Sequence, residues 1–382
     1  MKRRALLLLG ALLMPSVVHA KTVRKTVKQA KPAPHKVVTH KAPAKAPVKA
    51  PVKTPVKAPA KPAAKPAPAK SAPQPAKPAG LQPLKEARTQ LIAFNTSAFP
   101  YRGAIPGSNK PFLDVRQGKR LGHTSLRGDV YWEDQTYSDR RSLLYLPEGY
   151  NPALPSLMVI YLHGQGATLE RDVIARQGIA RQVSEAGQNV ALVAPQLAYD
   201  ALDSSAGNFW KPGHFAAYID EAAERLMRLY GDKRAGPHFN AAQVLLVAYS
   251  GGYLSAAYAL ARGGATYRVK GVVLMDSLYG DEDKFAAWAT TRRQTGFLLS
   301  AFTDSTREEN GNLQAMLAKR RITHAGAMPR TLAPGTMTFI ACGGLDMHGD
   351  FMTRAWGQDP LAQTLALIPG YPQKPPVAKG KA

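Results

Sequence analysis

One short segment constrains this chain more than any other, because its pattern changes abruptly from strand-like to helix-like. The segment spans residues 244–260 and reads VLLVAYSGGYLSAAYAL, with Ser250 at the change. The apolar residues before Ser250 predict a buried strand, and the alanine-rich residues after the glycines predict a helix. So sharp a turn brings strand and helix together, and Ala248, Gly251 and Gly252 supply the small side chains that this requires. The segment therefore predicts a strained turn that presents Ser250 as a nucleophile.

The N-terminus has the three parts of a secretory signal peptide. A basic start at Met1–Arg4 precedes an almost wholly apolar run over 5–15, and the small residues Val18 and Ala20 precede the expected cleavage point. The apolar run is shorter than the roughly 20 residues that span a bilayer. We expect cleavage after Ala20, giving residues 1–20 as a signal peptide and an exported protein, periplasmic or secreted. An uncleaved anchor is the alternative.

Residues 21–80 consist almost entirely of lysine, proline, alanine and valine, and lysine recurs every fourth residue from Lys41 to Lys65. Such a composition cannot bury a core, and its prolines and like charges favour an extended chain. We therefore expect a disordered, basic linker over 21–80. Residues 1–80 hold 18 Lys and Arg and no Asp or Glu, so they carry +18 of the total charge of +25 and leave +7 for the rest.

The basic tail raises the question of a polyanionic partner. Nucleic acid would fit the charge, but the signal peptide argues against it. We expect anionic envelope polymers or lipid head groups as the better-placed partners of 21–80, and a solvated spacer without a specific partner as the alternative.

The chain has a single cysteine, Cys342, and no His-Glu-x-x-His or other paired histidine spacing. We therefore expect no disulfide, metal or other cofactor.

Residues 81–382 are long enough for one large α/β domain. Continuous apolar runs predict strands covered on both faces at 157–162, 190–193, 244–247, 272–275, 297–302 and 337–341. Amphipathic segments predict helices at 169–186, 215–230, 283–293, 313–321 and 351–367. An alternating pattern over 127–150 predicts an antiparallel hairpin at a sheet edge. The fold class is therefore expected to be α/β, with a doubly wound, mostly parallel sheet.

Ligands of such sheets bind beyond the carboxyl ends of the strands, so the residues that end each apolar run are the candidates for a site. The run at 157–162 is followed by His163, Gly164, Gln165 and Gly166. Glycines at this point let backbone N–H groups approach a substrate oxygen, as an oxyanion hole requires. We expect the N–H groups of Gln165 and Gly251 to be the two donors, with His163 and Gly164 contacting substrate. An ordinary strand-to-helix turn is the alternative.

The later strand ends offer an acid and a base. Asp276 follows the run at 272–275, Asp304 follows the run at 297–302, and either could orient a catalytic histidine. Most aspartates after strands are only turn formers or helix caps. His348 follows the last run. It comes after Ser250 and after both aspartates, so the chain has the order Ser, Asp, His of a catalytic triad, and His348 is the candidate base.

A loop of about 15 residues at 198–213 precedes a predicted helix, and loops of this length in compact domains are often functional. We expect it to overlie the site and to contribute Trp210 as an aromatic wall, with Tyr253 as a second substrate contact next to Ser250. No long cap insertion is evident, so an open site is expected.

These residues resemble the α/β-hydrolase fold family over 125–370. The resemblance is carried by Leu-His-Gly-Gln-Gly at 162–166, Ala-Tyr-Ser-Gly-Gly at 248–252 and the terminal His348. Segments at 99–102, 111–115, 205–210 and 276–279 also look similar to a group of uncharacterised exported bacterial α/β-hydrolases. The resemblance implies a serine hydrolase with a Ser-His-Asp triad that cleaves carboxylic esters, small or polymer-linked. Cleavage of amides or peptides by the same triad, and a non-catalytic envelope polyanion-binding protein on a hydrolase scaffold, are the alternatives.

The sequence departs from the family pattern at Ala248, where glycine is usual; alanine is small enough for the turn. The acid is ambiguous. The family most often places it at the strand end that corresponds to Asp304, but some members use the position of Asp276, which is the first polar residue after its strand as Ser250 is after its own. We favour Asp276 and keep Asp304 open.

Overall fold

The computed structural model describes residues 80–108 and 110–373. The expected signal peptide and the basic linker through residue 79 lie outside these ranges. No helix within them is long and apolar enough to cross a membrane.

Strands and helices alternate along most of the described chain. The strands are β1 (Arg88–Ala93), β2 (Val115–Gln117), β3 (Arg120–Thr124), β4 (Val130–Trp132), β5 (Arg141–Leu146), β6 (Leu157–Leu162), β7 (Val190–Pro195), β8 (Gln243–Tyr249), β9 (Val269–Met275), β10 (Phe297–Phe302) and β11 (Met337–Ala341). The α-helices are α1 (Glu133–Thr136), α2 (Ile179–Glu185), α3 (His214–Tyr230), α4 (Gly236–Ala241), α5 (Tyr253–Arg262), α6 (Glu282–Arg292), α7 (Arg307–Lys319), α8 (Phe351–Arg354) and α9 (Pro360–Ala366). A π-helix covers Leu169–Arg176, and short 3₁₀ turns cover Gly207–Trp210, Ser250–Gly252, Asp304–Thr306 and Leu345–Asp350, among others.

Eight strands form one sheet in the order β1-β5-β7-β6-β8-β9-β10-β11. In this order, six neighbouring strands (β7, β6, β8, β9, β10 and β11) are parallel to one another, whereas β5 runs antiparallel to both of its neighbours. The crossovers of a parallel sheet place helices on its faces, and the chain supplies them between successive strands. The sheet is thus the doubly wound, mostly parallel sheet of the α/β-hydrolase type, and the predicted fold class is confirmed.

The sheet is buried on both faces, which explains the continuous apolar runs. Every residue of β6, β7 and β10 is buried. Alternate residues contribute to two separate cores: Met158 and Ile160 pack with the face covered by α3, α5, α6 and α7, whereas Val159 and Tyr161 pack with the π-helix, α2, α8 and α9. Burial on both faces is what parallel strands in a doubly wound fold require.

Three local predictions need correction, the first being the helix expected over 351–367, which is divided into α8 and α9. The hairpin expected over 127–150 is divided between two sheets: β4 completes a small antiparallel sheet with β2 and β3, and β5 joins the main sheet. The partner of β5 at the edge is β1, whose half-exposed pattern gave no clear apolar signal. The helix expected over 169–186 breaks at Gly178, where φ is +58° and the chain passes from the π-helix into α2.

Candidate active site

The turn that follows β8 has the geometry expected of a strand-to-helix elbow. Ser250 has φ +51°, in the left-handed region that costs free energy for a residue with a side chain. A Cβ added at Gly252 would lie 2.3 Å from the Leu162 carbonyl oxygen, and one at Gly164 would lie 2.8 Å from the Ser250 Cβ. Both positions therefore exclude any side chain, and this close approach of β6, β8 and α5 fixes where Ser250 points.

Ser250, His348 and Asp276 form one hydrogen-bonded chain. The Ser250 Oγ lies 2.9 Å from the His348 Nε2, and the His348 Nδ1 lies 2.6 Å from the Asp276 Oδ2. The carboxylate accepts from Nδ1–H, so Nε2 is the nitrogen left free to accept the Ser250 hydroxyl proton. The three residues come from the ends of β8, β11 and β9, at the edge where parallel sheets bind ligands.

The Asp276 carboxylate is fully buried and saturated with hydrogen bonds. Its Oδ1 accepts from the Thr303 N–H at 2.9 Å and the Thr306 hydroxyl at 2.8 Å, and its Oδ2 accepts from the hydroxyls of Thr303 at 2.7 Å and Ser305 at 2.9 Å, besides His348. Burial alone would raise the pKa of Asp276, but the hydrogen bonds from His348, Thr303 and Thr306 outweigh it and lower the pKa to about 2. The acid is therefore ionised throughout the neutral range.

Asp304, the other candidate acid, does not contact His348. Its exposed carboxylate forms an ion pair with Arg307 at 2.5 Å. The end of β10 instead turns Thr303, Ser305 and Thr306 toward Asp276, so this strand end supplies hydrogen-bond donors to the carboxylate of the neighbouring strand.

The two backbone groups expected to bind an oxyanion lie side by side. A Cβ added at Gly251 would lie 3.3 Å from the Gln165 backbone nitrogen and 2.8 Å from the Gln165 Cγ. Gly251 is the second residue of the turn Ser250–Gly252, where a backbone N–H has no partner within the helix. The Gln165 side chain is held by a 2.8 Å bond from its Nε2 to the Ser204 Oγ. The two candidate donors are thus close neighbours beside Ser250, as an oxyanion on a carbon bonded to the Ser250 Oγ would require.

Two of the expected substrate contacts are wrong. The His163 ring is 1% exposed; its Nδ1 bonds to the Gly164 carbonyl oxygen and its Nε2 accepts from the Leu197 N–H at 2.9 Å. Trp210 is 4% exposed and lies edge-on to Tyr101 and other rings of the core. His163 thus holds the chain after β7 in place, and Trp210 belongs to the core. The segment 198–213 is buried over 206–210, whereas its residues Leu202 and Ser204 lie beside Gly166 and Gly251, close to the site.

The other two expected contacts lie at the site. Gly164 adjoins the Ser250 side chain, as its Cβ distance shows. Tyr253 is half-buried, and its ring lies 5.9 Å from that of Tyr279.

Tyr279 is a site residue that the sequence analysis missed. Its hydroxyl lies 3.5 Å from the His348 Nδ1 and 3.2 Å from the Ser305 Oγ. Burial raises the pKa of Tyr279, so this hydroxyl stays protonated beside His348.

Two further residues missed from the sequence hold the His348 loop. The Tyr249 hydroxyl donates to the His348 carbonyl oxygen at 2.8 Å, and its ring stacks on the imidazole at 5.5 Å. Arg176, at the end of the π-helix, donates to the Gly349 carbonyl oxygen at 2.9 Å and is itself held by Asp172. Tyr249 directly precedes Ser250, so one strand end positions both the candidate nucleophile and its base.

Replacing Tyr249 by phenylalanine should lower kcat by about fivefold with little change in KM. The lost hydrogen bond is worth about 1 kcal/mol, and the imidazole that it orients is a candidate base, whose action would be confined to the chemical step. Tyr230→Phe is the matched control, because the Tyr230 hydroxyl also donates to a backbone carbonyl, that of Gln82, at 2.6 Å but contacts no site residue. Steady-state kinetics on a substrate that the wild type turns over would show the difference; equal kcat for the two variants would contradict this role of Tyr249.

His163 gives a prediction about stability. Burial lowers the pKa of His163 from 6.5 to about 4, so the ring is neutral in the fold and takes up a proton first in the unfolded chain. The unfolded state therefore binds more protons as the pH falls below about 6.5, and the free energy of unfolding should fall by about 3 kcal/mol by pH 4. Denaturant unfolding between pH 7 and pH 4 measures the change, and an NMR titration of the ring isolates its share. A His163 ring that titrates near 6.5 in the folded protein would contradict the prediction.

No family model and no curated protein sequence matches the chain. Among solved structures, it is similar to a mutant of the feruloyl esterase module from Clostridium thermocellum complexed with sinapinate, at 15% identity and TM-score 0.38 over 71% of this chain and 95% of that one. It is also similar to an S-formylglutathione hydrolase from Agrobacterium tumefaciens, at 12% identity and TM-score 0.36 over 66% of this chain and 97% of that one. A dienelactone hydrolase-like promiscuous phosphotriesterase from metagenomic libraries matches at 10% identity and TM-score 0.36, over 74% of this chain and 94% of that one.

Similarities with TM-scores below 0.5 and identities this low say nothing about the substrate of this chain. The architecture stands on the chain's own strand order, on the antiparallel β5 and on the elbow after β8. On these three features, the chain has the α/β-hydrolase fold.

Proposed function

We propose that this protein is a serine hydrolase that cleaves carboxylic esters through a covalent acyl-enzyme. The observation that carries the proposal is the continuous chain of contacts from the Ser250 Oγ through His348 to the buried Asp276 carboxylate. A serine hydroxyl is a weak nucleophile unless a base takes its proton, and this arrangement places a base within hydrogen-bond reach and a carboxylate behind it.

The proposed reaction has two halves. His348 Nε2 takes the proton of Ser250 as its Oγ attacks the ester carbonyl carbon, and the ionised Asp276 stabilises the resulting imidazolium. The N–H groups of Gln165 and Gly251 bind the oxyanion, a contribution of typically about 3 kcal/mol per donor. The imidazolium then protonates the departing alcohol. In the second half, His348 takes a proton from a water molecule that attacks the acyl-Ser250 carbonyl carbon, and it returns this proton to the Ser250 Oγ as the carboxylic acid is released.

Esters are the first choice of substrate class because an alcohol leaves with less help from a general acid than an amine does. The exposure of the site supports a bulky or polymer-linked ester. The His348 side chain is 30% exposed and Ser250 is half-buried, so the reacting atoms can be reached by a group that is attached to a large carrier.

A matched pair of substrates tests the proposal. p-Nitrophenyl butyrate and butyryl p-nitroanilide share an acyl group and a p-nitrophenyl ring and differ in the bond that breaks, an ester C–O or an amide C–N bond. We expect hydrolysis of the ester, little or none of the anilide, and no turnover of either by Ser250→Ala. Faster cleavage of the anilide would move the function to amides, and equal turnover by the wild type and Ser250→Ala would overturn the mechanism.

We also propose that the protein is exported and that residues 21–80 tether it to an anionic envelope polymer. The support is the sequence of the tail, which with the signal peptide carries 18 basic residues and no acidic one. Co-sedimentation of the full chain with an anionic cell-wall polymer at rising salt concentration tests it. Binding that weakens with salt and is lost on removal of 21–79 supports the tether; binding that is unaffected by that removal overturns it.

A further inference from the structure

The tip of the small sheet reaches the candidate oxyanion site. The turn 125–129 between β3 and β4 is closed by bonds from the Ser125 N–H to the Asp129 carbonyl oxygen at 2.8 Å and from the Gly128 N–H to the Ser125 carbonyl oxygen at 2.9 Å. Its exposed Arg127 directs Nη2 to 3.5 Å from the Gln165 Oε1. A surface arginine on a closed turn thus lies against the side chain whose backbone N–H is a candidate oxyanion donor.

The guanidinium is one side chain away from the elbow. The Gln165 Cγ lies 2.8 Å from where a Cβ of Gly251 would be, and the amide oxygen at the other end of the Gln165 side chain contacts Arg127. The alcohol of an ester must stay beside the His348 Nε2 that protonates it. We therefore take the acyl part of the substrate, and not its alcohol, to be the part that extends toward Gln165 and Arg127.

The positive charge of Arg127 has no carboxylate within ion-pair distance in the described chain. Neighbouring arginines differ: Arg120 pairs with Asp134 at 2.8 Å, and Arg171 pairs with Asp172 and Asp200, each at 2.9 Å. The amide oxygen of Gln165 can occupy one of the five guanidinium donors and leaves the others for a ligand. Two exposed apolar side chains lie in the same region. Leu126, which directly precedes Arg127 in the turn, is fully exposed, and Leu202, 45% exposed, lies 3.7 Å from where a Cβ of Gly166, the residue after Gln165, would be.

We propose that Arg127 is a specificity residue, and that the substrate is an ester whose acyl part has an apolar segment ending in a carboxylate. This inference rests on the proposed ester hydrolysis. The carboxylate would form a charge-assisted pair with the guanidinium while Leu126 and Leu202 contact the apolar segment. An arginine suits this purpose because its planar fork can bind both carboxylate oxygens.

The test compares p-nitrophenyl monoesters of adipic and suberic acid, each carrying a free carboxylate, with the same compounds capped as methyl esters. We expect the full-length wild type to favour the carboxylate forms in kcat/KM by roughly five- to tenfold at low salt, a preference that falls as salt screens it. Arg127→Met should bring the ratio close to one, Arg127→Glu should reverse it, and Arg127→Lys should retain part of it. Arg116→Met is the matched control, since Arg116 is exposed on β2 of the same sheet and contacts none of the described site residues; it should keep the wild-type ratio.

A wild type that cleaves both forms equally, or an Arg127→Met variant that keeps the preference, would overturn this role of Arg127 while ester hydrolysis itself stands. Loss of the preference in Arg116→Met as well would also overturn it, because the effect would then belong to the overall charge. Absence of turnover of both forms would instead overturn the proposed function, and this inference with it.

Discussion

Replacing Ser250 by alanine should reduce kcat/KM by roughly 10⁴- to 10⁶-fold, the loss seen when the nucleophile of a triad is removed. The variant should fold normally, because the substitution removes only the Oγ and alanine at φ +51° is strained as serine is. The measurement is hydrolysis of a p-nitrophenyl ester by the two proteins at equal concentration, with their circular dichroism spectra compared.

Ser255→Ala is the matched control for this substitution. Ser255 is a fully buried serine in α5, and its Oγ has no hydrogen-bond partner in the described chain, so removing it should leave activity and stability close to those of the wild type. Activity of the Ser250→Ala variant within about tenfold of the wild type would contradict the assignment of the nucleophile.

Replacing Asp276 by asparagine should lower kcat by roughly 10⁴-fold. The amide would donate to the His348 Nδ1 and so place the imidazole proton on Nε2, where it blocks transfer from Ser250. KM should change much less, because the carboxylate is fully buried and does not touch substrate.

Asp304→Asn separates this effect from a general loss of charge near the site. The Asp304 carboxylate is half-exposed and, within residues 80–108 and 110–373, its ion pair is with Arg307; such exposed pairs contribute about 0–1 kcal/mol. We expect nearly unchanged kinetics for Asp304→Asn. The reverse outcome, a large loss for Asp304→Asn with activity retained by Asp276→Asn, would move the acid to the other strand end.

The strand ends could be found from the sequence because parallel strands bring their carboxyl ends to one edge of the sheet. Ser250, Gln165 and His348 each follow an apolar run, and this alone places them near one another. The choice between Asp276 and Asp304 could not be made in this way, since both residues follow strands. It depends on which carboxylate accepts hydrogen bonds from the hydroxyls of Thr303, Ser305 and Thr306. Side-chain packing between two neighbouring strands decides this.

The errors have two physical causes. His163 and Trp210 lie in segments that look like loops from their composition, but tertiary packing buries both side chains. Tyr249, Arg176 and Tyr279 were missed for the opposite reason: they act on His348 from elements distant in sequence, and no local pattern marks such contacts. Arg127 belongs with them, because its contact with Gln165 joins the two sheets.

The central claim is that Ser250 is an activated nucleophile, and the most direct measurement is reaction of the folded protein with a fluorophosphonate followed by mass spectrometry of its peptides. Our account predicts one adduct per chain, located on Ser250, and none in the Ser250→Ala variant. An adduct on a different residue that persists in Ser250→Ala, or no adduct on the folded wild type, would contradict it.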